Sequence, residues 1–174
     1  TNSIDLLMIY LSIELVSIPS YVLAGILKND KKSNEASLKY VIFGSFASGL
    51  MLFGLSWLYG ISGSTNIYDI YNSLALVESP YMIYISLMLI LVGFGYKISM
   101  APLHYWTPDV YEGSPTVVTA FFSVAPKAAG FAILIRTFSI LFTDANSLSV
   151  NTFPIHNVNW SLVVAVLSAI TMSI

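Results

Sequence analysis

The sequence predicts an all-α integral membrane protein with four complete spanning helices, a fifth partial one, and a helix that breaks near residues 97–108. Three observations lead to this fold class. The 174 residues are 56% hydrophobic and only 9% charged, whereas soluble domains average about 25% charged residues. Apolar runs recur at lengths near the 20 residues that a span needs. Lys97 stands just before Pro102 in the third run, and proline interrupts helices.

Composition excludes several classes of function. The sequence has no cysteine, so disulfides, thiolate metal sites and cysteine-held iron–sulfur clusters are ruled out. Its two histidines, His104 and His156, are too few for an ordinary zinc or haem site. A formal charge of -2 does not favour a nucleic-acid partner.

The apolar runs are separated by polar segments and define a single transmembrane domain over residues 1–174. The complete runs cover residues 4–27, 36–59, 80–100 and 116–141, and a partial run starts near residue 158. Short helices are also predicted at 67–76 and near Thr107, with Thr107 and Asp109 as helix-start residues and Pro108 at the first helical position. Because the last run is shorter than a span, the chain is interpreted as a fragment or as one product of a split gene.

The lysine distribution indicates the orientation in the membrane. Four of the seven Lys and Arg residues lie between positions 28 and 39. The positive-inside rule places this loop on the cytoplasmic or matrix side. The loops at 60–79 and 142–159 then lie on the outer side.

Charged residues inside the spans are the main candidates for function. Glu14 lies about 15–20 Å from either end of its run, Lys97 precedes the predicted break, and Lys127 follows Pro126, which is expected to perturb its helix. Each is either a proton-carrying site or a structural residue. In the structural alternative Glu14 bonds a neighbouring helix, and the stem of Lys127 packs while its head meets a buried carboxylate. Intramembrane ionisable residues are functional candidates by default, so we favour the first interpretation. We expect Glu14 near Lys97, where it stabilises the charged lysine.

Other polar residues leave alternatives open. Lys39 either extends its head to the membrane surface or takes part in ion transfer. His104 is either a proton relay or a residue that fixes the broken backbone. Asp109 and Glu112 are interpreted as helix caps or surface charges, and the aromatic residues around them suit an interface or the packing of a bent segment.

Four segments carry a family resemblance. They are LSIELVSIPSYVLAG around Glu14, LKYVIFGSFASGLMLFGLSWLYG from Leu38, GYKISMAPLHYWTPDVYEGSP from Gly95, and SVAPKAAGFAILIR from Ser123. Together they resemble the antiporter-like membrane subunits of respiratory complex I, most closely those of the subunit N type, known in mitochondria as NADH dehydrogenase subunit 2. The resemblance extends over nearly the whole chain.

The resemblance implies a fold and a set of site residues. The expected fold is part of an antiporter-like inverted-repeat bundle, with the chain covering most of the first repeat, from the fifth helix to the start of the ninth. The residues expected to translocate protons are Glu14, Lys39, Lys97, Lys127 and His104. A lysine that the family carries on its twelfth helix is absent, so a second polypeptide is one way to complete the channel.

The resemblance also implies partners and a location. The chain is expected to be a subunit of the proton-translocating NADH:ubiquinone reductase, coupling quinone reduction to proton pumping. It would carry no redox centre, metal or cofactor, because FMN, iron–sulfur clusters and quinone belong to partner subunits. Its partners are other membrane-arm subunits and the lipid bilayer of the mitochondrial inner membrane or the bacterial plasma membrane. The alternatives are a cation/proton antiporter, a membrane-bound hydrogenase-type complex, or a purely structural membrane subunit.

Overall fold

The computed structural model describes residues 3–74, 80–142 and 160–173, and within these ranges the chain folds into seven helices. They are α1 (Leu6–Ala24), α2 (Lys31–Ser62), α3 (Ile67–Leu74), α4 (Pro80–Ile98), α5 (Trp106–Gly113), α6 (Thr116–Phe142) and α7 (Trp160–Ser173). Four of them, α1, α2, α4 and α6, are long and apolar enough to cross a membrane. The predicted all-helical membrane fold is confirmed.

The predicted runs match the helices closely, with one informative difference. Helix α2 begins at Lys31, five residues before the predicted run, because the Asp30 carboxylate caps it by accepting a 3.0 Å hydrogen bond from the Lys32 N–H. The predicted short helices are present as α3 and α5, and α7 is the partial fifth span. The predicted outer loop at 142–159, with His156, lies almost entirely outside the described residues.

Proline does not divide two of the spanning helices. Pro19 lies inside α1 and Pro126 inside α6, and each helix continues past its proline. Pro126 is buried against the bundle, where neighbouring groups can compensate for a lost backbone hydrogen bond. The expected perturbation of α6 therefore does not end that helix.

The core lies where α4 packs against α2 and α6. Fully buried apolar side chains from these helices fill it, including Leu58, Leu87 and Phe138. Gly54 of α2 has no room for a side chain, since a Cβ there would lie 2.8 Å from the Cβ of Leu89. Small residues of this kind allow membrane helices to approach closely.

The N-terminal end of α1 and the C-terminal end of α2 are tied together by Asp5. Its carboxylate caps α1 through the N–H groups of Leu7 and Met8 and accepts a 2.6 Å hydrogen bond from the Thr65 hydroxyl. The Thr65 hydroxyl, followed by the Met8 N–H, holds the pKa of the Asp5 carboxyl below its ordinary value. This link fixes the entry of the chain into the bundle.

Candidate functional site

Helix α4 ends abruptly inside the bundle, one residue after Lys97. The N–H of Met100 donates to the Gly95 carbonyl at 2.8 Å, and the N–H of Ser99 donates to the Tyr96 carbonyl at 3.2 Å. Ser99 is left-handed, with φ of 60°, so these bonds form a Schellman C-cap. The cap satisfies the last carbonyls of α4, as broken backbone within a membrane requires.

Ser99 is a site where glycine is expected to stabilise the fold. A left-handed backbone costs a residue with a Cβ about 1–2 kcal/mol, and glycine adopts it freely. We expect Ser99→Gly to raise the free energy of unfolding by about 1 kcal/mol, measured by thermal unfolding of the purified protein. A lower stability in this variant would show that the Ser99 side chain holds the helix end in some other way.

Lys97 is buried in the last turn of α4, with 8% of its surface exposed. Its ammonium donates a 2.9 Å hydrogen bond to the Ser17 hydroxyl of α1, which in turn donates to the Ile13 carbonyl. The contact lies about 10 Å inside the end of α1, counted from seven residues at 1.5 Å each. The negative C-terminal end of the α4 dipole also favours a cation here.

The stem of Lys97 packs against a glycine on α6. A Cβ on Gly130 would lie 2.9 Å from Ile98 and 3.7 Å from the Lys97 Cγ. Glycine at this position therefore lets α6 approach the end of α4. Lys127 lies one turn earlier on the same helix.

Glu14 lies on the same face of α1 as Ser17 and is half-buried. Its carboxylate accepts a short hydrogen bond from the Ser48 hydroxyl of α2. No ion pair joins the Glu14 carboxylate to the Lys97 ammonium, both of which the structure describes. Each charged group instead forms a hydrogen bond with a serine hydroxyl. Glu14 bonds Ser48, and Lys97 bonds Ser17, which lies one turn after Glu14 on α1.

Lys127 is half-buried and its ammonium lies 5.2 Å from the centroid of the Tyr111 ring. This distance is within the range of a cation–π contact. Among the described residues no carboxylate forms an ion pair with Lys127. The alternative in which its head meets a buried carboxylate is not what the structure shows for these residues.

An aromatic cluster holds the broken segment in place. The Trp106 ring stacks on Tyr40 of α2 at 4.6 Å between centroids, and its Nε1 donates a 3.1 Å hydrogen bond to the Tyr96 carbonyl. The Tyr96 hydroxyl donates to the Tyr40 carbonyl at 2.9 Å. These contacts connect α2, the end of α4 and the start of α5. Of the two roles predicted for the aromatic residues near Asp109, an interface or the packing of a bent segment, these contacts give Trp106 the second.

Buried polar atoms concentrate between the end of α4 and the start of α6. Within the described part of the chain, five of them in this segment have no hydrogen-bond partner: Ser99 Oγ, His104 Nδ1, Thr107 Oγ1, Tyr111 Oη and Ser114 Oγ. Burying an unpaired polar atom costs about 1–3 kcal/mol.

The predicted short helix near Thr107 is present as α5, but the prediction that Thr107 caps it, with Pro108 at the first helical position, is wrong. Helix α5 begins at Trp106, its N-cap is Tyr105, and no side chain caps it. Trp106 takes part in the helix because its indole is already fixed by Tyr96 and Tyr40. Aromatic packing rather than capping therefore sets the first residue of α5.

Lys39 lies in a surface cluster of ion pairs between α2 and α5. Its ammonium is 2.6 Å from the Asp109 carboxylate and 2.7 Å from that of Glu35. Lys32 pairs with Glu112 at 2.7 Å. Asp109 and Glu112 are surface charges, as predicted, and they bind α2.

Reversing one charge of the Lys32–Glu112 pair is expected to have a small, salt-dependent effect. Exposed pairs stabilise proteins little, so Lys32→Glu should lower the unfolding temperature by roughly 1–2 °C, and Lys32→Glu with Glu112→Lys should restore it. The measurement is thermal unfolding at low and high ionic strength. An equal effect at both salt concentrations would contradict an electrostatic origin.

The same pair predicts a direction for pH dependence. The Lys32 ammonium, through its hydrogen bond, holds the pKa of the Glu112 carboxyl below its ordinary value of 4.5. The stabilisation is therefore complete above pH 4.5 and is lost as the pH falls through the lowered pKa. The Lys32→Glu variant should lack this acid-dependent loss.

Several residues of this site were not identified from the sequence. Ser17 had an available signal, because a hydroxyl three residues after Glu14 shares its helix face. Ser48 and Tyr111 had none, since their contacts join residues 34 and 16 positions apart on different helices.

The fold and the site define an integral membrane helical bundle with a broken helix that ends at a buried lysine. The sequence model of a protein family described as NADH:quinone oxidoreductase/Mrp antiporter, transmembrane, matches residues 3–174. The chain belongs to this family, and the resemblance to antiporter-like subunits of complex I is confirmed.

Individual proteins show the same relationship. The chain is 58% identical over 139 residues to NADH-quinone oxidoreductase subunit N 2 of Sorangium cellulosum, covering 77% of this chain and 28% of that protein. It is 44% identical to subunit N of Anaeromyxobacter, covering 99% of this chain and 35% of that protein. The chain thus spans about a third of the length of these curated relatives.

A solved structure shows the same fold. A chain of respiratory complex I from Thermus thermophilus superposes with a TM-score of 0.66 at 37% identity, covering 77% of this chain and 29% of that chain. The described bundle is therefore also similar to a solved complex I chain in its backbone arrangement.

Proposed function

We propose that this chain is part of the proton-translocating membrane arm of an NADH:quinone oxidoreductase, respiratory complex I, and helps couple quinone reduction to proton pumping. The observation that carries the proposal is Lys97, a buried lysine at the end of a broken helix whose hydrogen-bond partner is the neutral Ser17 hydroxyl. An ammonium held by a hydroxyl can change charge without breaking an ion pair. Intramembrane lysines mark ion pathways.

The proposed path uses the charged residues of successive helices. Glu14 on α1, Lys97 on α4 and Lys127 on α6 are its interior stations. His104 is a relay, supported by its buried Nδ1 without a partner among the described residues. Lys39 stands at the water-exposed end, supported by its contacts with exposed carboxylates.

In this proposal the chain is one subunit of a larger enzyme. It carries no redox centre, and FMN, iron–sulfur clusters and quinone are held by partner subunits. Residues 1–174 form a single transmembrane domain that makes up most of the first antiporter-like repeat. The rest of the subunit and other membrane-arm subunits cover the large apolar side chains that α1 and α6 expose, such as Leu15 and Val117.

A native gel of mildly solubilised membranes tests the assembly. The gel is stained for NADH dehydrogenase activity, and the active band is analysed by mass spectrometry. We expect peptides of this chain in a very large active band together with flavin and iron–sulfur subunits. A small band without these partners would contradict the proposal.

A cation/proton antiporter is the second candidate, because the matching family includes Mrp antiporters. A chain of the Mrp complex from Dietzia superposes with a TM-score of 0.68 at 26% identity, covering 79% of this chain and 26% of that chain. This candidate predicts sodium- or potassium-dependent proton exchange in vesicles without NADH. Proton movement that needs NADH and ignores both cations favours the complex I proposal.

A further inference from the structure

Tyr111 is the aromatic residue of α5 that faces Lys127. We propose that it is a positioning residue, whose ring holds the Lys127 ammonium in place between α5 and α6. The inference rests on the proposed function, because it gives Lys127 a place on a proton path. The contact distance of 5.2 Å from Nζ to the ring centroid is its first support.

The ring is itself held firmly. The Thr119 hydroxyl of α6 lies 3.2 Å from the Tyr111 carbonyl and shares its hydrogen with the carbonyls of Pro115 and Ser114 at 3.3 and 3.4 Å, which places the end of α5 beside the helix that carries Lys127. The ring also packs edge-on against Trp106, with 6.3 Å between centroids. Trp106 in turn bonds the Tyr96 carbonyl, one residue before Lys97. Tyr111 therefore places Lys127 relative to the aromatic cluster that fixes the end of α4.

The Tyr111 ring, rather than a negatively charged group, is the partner that the described residues offer the Lys127 ammonium. Among the described residues, no carboxylate pairs with Lys127. A ring face attracts a cation most strongly where water is excluded, and Lys127 is half-buried. A ring can hold the ammonium without keeping it in the protonated form as strongly as a carboxylate partner would.

The tyrosine hydroxyl makes the proposal easy to test. It is buried and has no hydrogen-bond partner in the described part of the chain. Tyr111→Phe therefore keeps the ring face and removes a group that contributes no bond to these residues. Tyr111→Leu removes the ring face while keeping an apolar side chain.

The experiment measures NADH-driven proton uptake into membrane vesicles that contain the assembled complex, divided by the rate of NADH oxidation. We expect Tyr111→Leu to lower the rate of proton uptake by roughly 2- to 30-fold, the range that a cation–π contact supports, and to lower the ratio with it. Tyr111→Phe should stay within about twofold of the parent. Tyr105→Leu is the matched control, because Tyr105 is exposed, packs on Phe43 and is not in contact with Lys127.

A double-mutant cycle separates positioning from general packing. In a Lys127→Gln background, Tyr111→Leu should cause no further loss, because the ring then has no cation to hold. Independent losses, or equal losses in the Phe and Leu variants, would overturn the inference. If Tyr111→Leu does not assemble, Tyr111→Met removes the ring with an adaptable side chain, and the same outcomes decide.

The cycle also distinguishes the two proposals. Full proton uptake in Lys127→Gln would show that Lys127 is not on the proposed path. The inference about Tyr111 would then be wrong as well. Reduced uptake in Lys127→Gln with unchanged uptake in Tyr111→Leu would overturn the inference alone.

Discussion

Lys97→Gln is expected to reduce NADH-driven proton uptake about tenfold or more, which corresponds to at least about 1.4 kcal/mol on the transport barrier. Glutamine has no titratable group, so it cannot take up and release the proton. Its amide can still donate to the Ser17 hydroxyl that now accepts from the ammonium. The fold should therefore survive, and the loss should fall on transport.

Three measurements check this expectation. Proton uptake and NADH oxidation are compared in vesicles, and NADH oxidation with an artificial electron acceptor tests the partner subunits separately. The last activity should stay unchanged. Lys28→Gln is the matched control, because Lys28 is exposed in the loop before α2. Normal proton uptake in Lys97→Gln would favour the structural alternative, in which Lys97 only joins α4 to α1.

The fold could be predicted from the sequence because the hydropathy of a span and the effect of a proline depend on a short stretch of chain. Each spanning helix needs about 20 apolar residues, whatever it packs against, so the four runs were found at nearly the right positions. The break after Lys97 was also predictable, since a buried charge followed by Pro102 is unfavourable in a continuous apolar helix. Both signals are contained in a short stretch of chain.

The contacts of the site could not be predicted in the same way. The serine hydroxyls that Glu14 and Lys97 bond could not be identified, because which hydroxyl faces which charge depends on helix rotation. The ion pairs of Asp109 and Glu112 join residues 70 and 80 positions apart. Pro126 lies within a continuous helix, where it is buried against other helices, and such contacts cannot be read from the residues next to it in the sequence.

Gly113→Ala is the second change with a large expected effect, because Gly113 lets α5 lie directly against α2. A Cβ at this position would lie 2.6 Å from the Lys32 carbonyl oxygen and 2.7 Å from the Ala36 Cβ. Neither neighbour is the end of a flexible side chain, so α5 must move away from α2. Overpacking of this kind costs about 1–3 kcal/mol.

The displacement of α5 should also impair proton transport. Helix α5 carries Trp106, which contacts the end of α4, and Tyr111, which contacts Lys127. We expect Gly113→Ala to lower both the unfolding temperature of the solubilised complex and its proton uptake per NADH. Gly49→Ala is the control, since nothing lies within 4 Å of a Cβ at Gly49 and alanine is the better helix former by about 1 kcal/mol. It should be neutral or stabilising. Equal stability of the two variants would mean that α5 does not depend on close contact with α2, and the site would then be fixed by the aromatic cluster alone.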